Sequence, residues 1–169
     1  MINSTLCYLR RGQDVLLLHR IKKKNDLNQD KWIGVGGKFE DKESPEDCAL
    51  REIREETGLT VTRWQYRGIV TFVSDRWETE YMHLFTADEF TGQLKECDEG
   101  VLEWIAWKRM LELPHWKGDE IFLSLIERED APFFSLKLHY DANDTLLSAV
   151  LNGQSLEIGG YVFRHGMKP

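Results

Sequence analysis

A glycine-rich loop that leads into a fully specified helix is the feature of this sequence that most constrains its fold. Residues 32–37 read Trp-Ile-Gly-Val-Gly-Gly, a density of glycine typical of backbone that turns sharply or approaches another group closely. After the loop, Ser44 suits the N-cap, Pro45 the first helical position, and Asp47 a capping box. Gly58 suits the C′ position, where a left-handed residue ends a helix. The sequence therefore predicts a helix bounded by Ser44 and Gly58.

One face of this predicted helix is apolar. At about 3.6 residues per turn, four of its side chains fall within about 100° of one another. We expect this stripe to be buried against the rest of the protein; its members are Ala49, Leu50, Ile53 and Thr57.

Three carboxylates, Glu52, Glu55 and Glu56, project together from one face of the same helix, because i,i+3 and i,i+4 neighbours lie side by side. Like charges at this spacing destabilise a helix unless they are neutralised. Arg51 is an i,i+4 partner for Glu55, and a divalent cation could bind among the carboxylates. Carboxylate oxygens and a backbone carbonyl are hard ligands, which favour Mg²⁺ or Mn²⁺ over zinc. The spacing alone leaves two alternatives open: a solvated acidic face, and a metal site beside a loop that takes a diphosphate.

The rest of the chain mixes strand and helix patterns, without an internal repeat or a low-complexity linker. These patterns predict one α+β domain over residues 1–152, followed by an extension or tail over 153–169 that reads weakly as one more strand. Strands are predicted over residues 15–18, 68–74, 81–87, 101–107, 134–140 and 145–151, the last two as a hairpin, and helical periodicity covers 108–113 and 117–128.

Composition excludes several classes of partner. The 169 residues carry 22 basic and 29 acidic side chains, so the net charge is 22 − 29 = −7, which disfavours nucleic acid polymers and anionic membranes. No apolar run approaches the roughly 20 residues of a membrane span. Three cysteines without a CxxC spacing favour a reducing, cytoplasmic setting. Arg10 and Arg11 interrupt the N-terminal segment before it reaches the apolar length of a signal peptide, so we do not expect secretion.

A motif over residues 37–59 resolves the two alternatives for the acidic face. The pattern G-x5-E-x7-R-E-U-x-E-E-x-G-U, with U a bulky aliphatic residue, is matched at every defined position and resembles the Nudix box. The resemblance implies an α/β/α sandwich with a mixed β-sheet, and hydrolysis of nucleoside diphosphates linked to another moiety, with Mg²⁺ or Mn²⁺ as cofactor. The matching residues are Gly37, Glu43, Arg51, Glu52, Ile53, Glu55, Glu56, Gly58 and Leu59.

The same resemblance assigns roles within the motif. It makes Glu52, Glu55, Glu56 and the Gly37 carbonyl ligands of the metal. Arg51 would orient the carboxylates, and Glu43 would support the loop and helix. Glu52 is the first choice for the base that takes a proton from the attacking water. Glu99, which follows the predicted strand pairs, is the alternative base and a further metal ligand. The other possibility for Glu99 is an ordinary turn carboxylate with neither role.

Within the family the chain is most similar to the MutT-like 8-oxo-dGTP diphosphatases. Residues 31–38 resemble the W-x-G-x-G-G-K entry of that group, which implies substrate contacts from Trp32, Ile33 and Lys38, and Arg20 occupies a basic position used toward substrate. Residues 116–119 resemble the W-P-D-D stretch of the purine pocket. The similarity of residues 133–147 to the closing strands extends the resemblance over most of residues 4–151.

Two residues of the expected pocket depart from the group. Ile33 replaces an asparagine that contacts the purine, and Gly118 replaces the first aspartate of W-P-D-D. Trp116 remains for stacking, although a tryptophan is as often a core residue, and Asp119 remains for the edge of the base. The departures leave selectivity for an oxidised purine open.

Three functional hypotheses follow. The leading one is a Mg²⁺-dependent nucleoside triphosphate pyrophosphatase that converts 8-oxo-dGTP or a related purine nucleotide to the monophosphate and pyrophosphate, in sanitation of the nucleotide pool. The second keeps this chemistry for ADP-ribose, a nucleotide sugar or a dinucleotide polyphosphate. The third is a nucleotide-binding module without turnover, against which the intact set of glutamates counts.

Overall fold

A computed structural model describes residues 1–158 of the chain. Its strands are β1 (Ile2–Arg11), β2 (Asp14–His19), β3 (Trp32–Ile33), β4 (Thr60–Ser74), β5 (Glu80–Thr91), β6 (Val101–Ala106), β7 (Phe134–Tyr140), β8 (Leu146–Leu151) and β9 (Gln154–Leu156). Its helices are α1 (Pro45–Thr57) and α2 (Asp119–Ile126), with a 3₁₀ helix at Trp107–Glu112.

The nine strands found in residues 1–158 form one mixed sheet, in the order β3-β2-β1-β5-β4-β7-β8-β9, while β6 pairs with β2. The β1–β5 and β4–β7 pairs are parallel, and the other pairs are antiparallel. The hairpin predicted from β7 and β8 is confirmed.

The sheet separates two hydrophobic cores, because successive side chains of a strand point to opposite faces. On β1, Leu6 and Tyr8 join the core that contains α2, whereas Cys7 and Leu9 join the core that contains α1. The two helices therefore lie on opposite faces of the sheet. The expected α+β class and α/β/α sandwich with a mixed sheet are both confirmed.

Helix α1 begins and ends where its caps predict. The hydroxyl of Ser44 accepts a hydrogen bond from the Asp47 N–H at 3.1 Å, and the Asp47 carboxylate accepts one from the Ser44 N–H at 3.0 Å. Gly58 ends the helix in the left-handed region with φ 78°. Of the predicted stripe, Leu50 is half-buried and the other three members are buried.

Several elements differ from their predicted extents. Strand β1 was not predicted, because a central strand that is buried on both faces shows no clean alternation of polar and apolar residues. Strand β4 begins eight residues before the predicted start, in a mostly polar stretch. The predicted helices over 108–113 and 117–128 are a 3₁₀ helix and the shorter α2. Strand β3 is only two residues long, and the glycine loop that follows Ile33 is not part of a regular strand.

The C-terminal part of the described chain adds β9 to the sheet through pairs with β8. The boundary predicted at residue 152 remains a prediction, and residues 159–169 lie outside the described part. No helix within residues 1–158 has the length and apolar character needed to cross a bilayer. Cys7, Cys48 and Cys97 are buried free thiols.

Candidate active site

A cavity of about 500 Å³ opens where the glycine loop, α1 and the ends of several strands meet. Among the residues predicted to form the site, the structure places Arg51, Glu55 and Trp32 outside the cavity wall. The ring of Trp32 instead stacks on His19, with centroids 4.3 Å apart and planes within 7°. The predicted residues that line the cavity are Arg20, Ile33, Gly37, Lys38, Glu52, Glu56, Glu99, Trp116 and Asp119.

The glycine loop lies directly against β1 and α1. A Cβ atom on Gly36 would lie 1.8 Å from the Thr5 carbonyl oxygen, and one on Gly37 would lie 2.4 Å from the Glu52 carboxyl carbon. Only glycine therefore fits at position 36, where the neighbour is backbone, whereas a side chain at position 37 would displace the carboxylate of Glu52. The Gly37 carbonyl accepts hydrogen bonds from the Thr5 N–H at 2.9 Å and from the Cys48 thiol at 3.4 Å. The weak thiol bond would have to yield if this carbonyl also bound a metal.

Arg51 forms hydrogen bonds with three carboxylates of α1 and the loop before it. Its Nε and Nη2 donate to Glu43 at 2.5 and 2.9 Å, and its Nη1 donates to Glu52 at 2.7 Å and to Glu55 at 3.2 Å. These bonds to Arg51 lower the pKa of Glu43 to about 2. Burial raises the pKa of Glu52 despite Arg51. One guanidinium thus holds Glu52 and Glu55, two of the three like charges that the spacing predicts.

Arg20 forms hydrogen bonds with two other carboxylates, those of Asp26 and Glu99. It is 8% exposed; its Nη1 donates to Glu99 at 2.6 Å and its Nε donates to Asp26 at 2.7 Å. Lys23 adds a longer contact of 3.9 Å to Glu99. Arg20 is therefore already engaged by protein carboxylates at the position where substrate contact was expected.

Glu56 is the least satisfied carboxylate of the site. It is 9% exposed, and its Oε2 has no hydrogen-bond partner among the described residues. Burial and then the neighbouring Glu99 raise its pKa. A buried carboxylate without a partner is costly unless a proton or a cation compensates it.

The donor set fits a hard divalent cation. Glu52, Glu56 and Glu99 line the same cavity wall and offer only oxygen, the donor that Mg²⁺ and Mn²⁺ prefer. No three acidic, histidine or cysteine side chains of residues 1–158 already form a coordination shell. Arg51 and Arg20 hold several of these carboxylates. A cation would satisfy the free oxygen of Glu56 and draw Glu52 and Glu99 toward it.

The opposite end of the cavity is aromatic. Trp116 is 5% exposed, its Nε1 donates to Asn28 at 2.8 Å, and the Lys31 ammonium lies 4.4 Å from its ring centroid. Phe72 and Tyr140 meet the tryptophan edge to face. Trp116 therefore belongs to the core and to the cavity wall at once, so the two alternatives for this residue coincide.

Asp119 is the buried acid of this aromatic end. It is 6% exposed, and burial raises its pKa to about 8. At neutral pH the carboxyl is therefore mostly protonated, and it can donate one hydrogen bond as well as accept.

The neighbours of Gly118 explain why this position has no side chain. Its N–H donates to the Tyr140 hydroxyl at 2.8 Å. A Cβ atom at this position would lie 2.4 Å from Leu138 Cδ1 and 2.6 Å from that hydroxyl. An aspartate in place of Gly118 would therefore collide with β7.

The sequence did not point to several further lining residues. They come from strands and loops far apart in the chain and carry no motif, so only the packing of the sheet brings them together. They include Lys23, Asn28, Phe72, Trp77, Met82, Leu138 and Tyr140.

Comparison with known proteins agrees with this geometry. The model of the NUDIX domain matches residues 2–126. The oxidized purine nucleoside triphosphate hydrolase of Mus musculus is 30% identical over 145 residues, which cover 85% of this chain and 90% of that protein. The Nudix hydrolase YvcI of Bacillus subtilis is 37% identical over 120 residues, which cover 68% of this chain and 72% of that protein.

A solved structure shares the fold. The MutT protein of Bacillus halodurans superposes with a TM-score of 0.79 at 30% identity, covering 91% of this chain and 99% of that one. The relatives are named as hydrolases, which speaks against a binding module without turnover. The chain belongs to the NUDIX family and is a Nudix hydrolase.

Proposed function

We propose that the protein is a Mg²⁺-dependent nucleoside triphosphate pyrophosphatase that hydrolyses 8-oxo-dGTP or a related purine nucleotide to the monophosphate and pyrophosphate. One observation carries this proposal: a single cavity is lined by carboxylates at one end and by aromatic side chains with a buried acid at the other. The first end suits a cation with phosphates, and the second suits a purine. The mouse relative, named an oxidized purine nucleoside triphosphate hydrolase, supports the same substrate class.

The chain's own residues divide the chemistry between them. Glu52, Glu56 and Glu99 would hold the cation, which supplies neutralisation of the charge on the triphosphate. Lys38, at the wall of the cavity, would add a positive charge toward the phosphates. Arg51 and Glu43 act as positioning residues, because they fix the carboxylate of Glu52 without lining the cavity.

Glu52 is the proposed base. Its pKa is raised by burial, which brings it closer to the pH at which a carboxylate accepts a proton efficiently. Water attacks phosphorus, the phosphorus–oxygen bond between the monophosphate and pyrophosphate portions breaks, and the proton of the water passes to Glu52. Glu99 is the second candidate for this step.

At the other end, the proposed purine contacts come from Trp116 and Asp119. Protonated Asp119 can donate to one acceptor on the base edge and accept from one donor, which matches a purine carbonyl beside an N–H. Ile33 and Gly118 offer no side-chain hydrogen bond, so we expect discrimination to depend most on Asp119, the buried acid of this end. We propose a cytoplasmic setting, in which the three thiols stay reduced.

Steady-state turnover with Mg²⁺ tests the proposal on a panel of 8-oxo-dGTP, dGTP, ATP, ADP-ribose and a dinucleotide polyphosphate, with products separated by ion chromatography. We expect the highest kcat/KM for a purine triphosphate, with pyrophosphate as product. Glu52→Gln, which keeps the shape of the side chain, serves as the background control. Cleavage of ADP-ribose without cleavage of any purine triphosphate would overturn the proposal.

A further inference from the structure

A second cavity, of about 320 Å³, lies at the other end of the central strands and shares no lining residue with the first. Arg10 of β1, Arg67 of β4 and Thr86 of β5 line it. Thr5, also on β1, lines the catalytic cavity, and five residues of strand separate it from Arg10 by about 16 Å. The second cavity is therefore a separate site.

Arg67 is a buried cation in the wall of this cavity. It is 3% exposed, and its guanidinium donates to the Thr86 hydroxyl at 3.1 Å, to the Ile126 carbonyl at 3.2 Å and to the Arg128 carbonyl. All three acceptors are uncharged. No carboxylate oxygen within residues 1–158 lies within 4.0 Å of its nitrogens. A buried charge without a counter-charge is costly, so this arginine calls for an anion.

Arg10 brings a second cation to the same cavity. Its Nη1 donates to the Glu127 carbonyl at 2.9 Å, and its guanidinium carbon lies 4.2 Å from the Trp107 ring centroid. Arg10 also has no carboxylate of the described chain within 4.0 Å. Burial and the neighbouring Arg10 lower the pKa of Arg67. The two arginines therefore repel each other across a space that no acidic side chain bridges.

The end of α2 accounts for part of this arrangement. Arg10 and Arg67 bind the three consecutive carbonyls of residues 126–128, which carry the negative end of the helix dipole. That end amounts to only about half an elementary charge, whereas two guanidinium groups carry two. Each guanidinium has five N–H donors, so donors remain after these bonds. A surplus of positive charge and of hydrogen-bond donors is left in the cavity.

The other charged residues in the wall offset only part of this positive charge, because its three arginines face two carboxylates, Asp88 and Glu129. Arg63 is bound bidentately by Asp88, so the two charges offset each other. Glu129 and Asp130 attract Arg67, and Asp88 attracts Arg10, in each case from beyond ion-pair distance. The side-chain NH₂ of Gln65 donates to the Glu129 backbone carbonyl at 3.1 Å. The side-chain oxygen of Gln65 takes no part in this bond.

We propose that the second cavity binds a small oxyanion of the phosphate class between the guanidinium groups of Arg10 and Arg67. Tetrahedral oxyanions take several charged N–H donors at once, and arginine pairs are suited to this geometry. A volume of about 320 Å³ has room for a phosphate, either free or with a substituent. The site is independent of the proposed nucleotide hydrolysis, because it lies outside the catalytic cavity.

The test uses the full-length protein and inorganic phosphate, with chloride at equal ionic strength as reference. Isothermal calorimetry gives the affinity, and thermal unfolding gives the stabilisation. We expect Arg10→Gln to weaken phosphate binding about tenfold or more, the effect of losing a charged hydrogen bond. Arg11→Gln is the matched control, because the adjacent Arg11 lies over the Trp104 ring and outside the cavity. Arg67→Gln should also lose binding if it folds, but Arg10→Gln decides the question alone.

Phosphate bound in the catalytic cavity gives the opposite pattern, in which Lys38→Gln loses binding and Arg10→Gln keeps it. That pattern overturns the inference, as does a wild-type protein that responds equally to phosphate and chloride. We expect Arg10→Gln to keep the nucleotide turnover of the wild-type protein. The nucleotide panel and the phosphate titration therefore test separate proposals, and either proposal can be overturned while the other holds.

Discussion

At the carboxylate end of the catalytic cavity two arginines hold the acidic side chains, whereas at the aromatic end Asp119 is buried with no cation at ion-pair distance among the described residues. The first environment orients the carboxylates and lowers the pKa of Glu43, although burial raises the pKa of Glu52 and Glu56. It leaves one oxygen of Glu56 for a further positive charge. The second keeps its acid protonated inside a wall of rings. One cavity thus combines a charged end suited to phosphate chemistry with a neutral end suited to recognition of a base.

The largest effect is expected at the charged end, from Glu56→Gln. The substitution removes the buried carboxylate whose free oxygen a cation would satisfy, so turnover should fall by about 10²- to 10³-fold, as when a charge-stabilising group is lost. The melting temperature should stay the same or rise, because a neutral amide avoids the cost of burying a charge. Turnover at saturating Mg²⁺ and thermal unfolding measure both.

Glu55→Gln is the matched comparison for Glu56→Gln. The Glu55 side chain is 58% exposed, bonds to Arg51 and does not line the cavity. We therefore expect a smaller loss than in Glu56→Gln, although the motif makes both residues ligands. Equal losses would restore the role that the motif assigns to Glu55, and wild-type turnover in Glu56→Gln would remove the metal assignment.

A smaller effect at the same end is expected from Arg20→Lys. A lysine keeps the charge but cannot donate to both Asp26 and Glu99 in the fixed geometry of a guanidinium. Loss of a residue that orients a ligand weakens metal affinity or activity about 10- to 100-fold. We expect this change in the affinity for Mg²⁺, measured by calorimetry without substrate, with little change in KM at saturating Mg²⁺. A raised KM with normal Mg²⁺ affinity would instead show that Arg20 contacts substrate. Lys24→Gln is the control, because Lys24 is exposed and lies outside the cavity wall.

The two ends also differ in how far the sequence predicts them. The helix and its caps lie within residues 44–58, so local spacing predicts them correctly. The aromatic end joins Phe72 of β4, Met82 of β5 and Tyr140 of β7. Its geometry depends on the parallel pairing of β4 with β7, which no local pattern encodes. The ion pair of Arg20 with Glu99 spans 79 residues and escapes the sequence for the same reason.

At the neutral end, Asp119→Asn should lower the preference for the best purine substrate and change the pH dependence of stability. The folded pKa of Asp119, about 8, lies above the usual value near 3.8. The wild-type protein therefore loses stability as pH rises from about 4 to 8, because the unfolded chain ionises while the folded carboxyl stays neutral. Asparagine does not titrate, so the stability of the variant relative to wild type should rise over this range and level off above it.

Denaturant unfolding at pH 5, 7 and 9 measures the stability difference, and kcat/KM for 8-oxo-dGTP against ADP-ribose measures the preference. Asp41→Asn, at an exposed position outside the cavity wall, controls for loss of one charge. A stability difference that does not change with pH would show that Asp119 is ionised in the folded protein.

The smallest effect on turnover is expected from Gly118→Ala, which tests the packing of the neutral end. The backbone of Gly118 has φ −68°, so alanine introduces no backbone strain, and only the contacts of its Cβ atom with Leu138 and Tyr140 matter. Forcing a methyl group into such a space costs about 1–3 kcal/mol. Because Leu138 Cδ1 is the closest atom, at 2.4 Å, Leu138→Ala should relieve part of that cost, and the double variant should be more stable than the sum of the single changes predicts. Urea unfolding of the four proteins gives the coupling energy. Additive effects would mean that the wall of β7 yields to a larger residue, and that an aspartate at 118 is excluded by something other than packing.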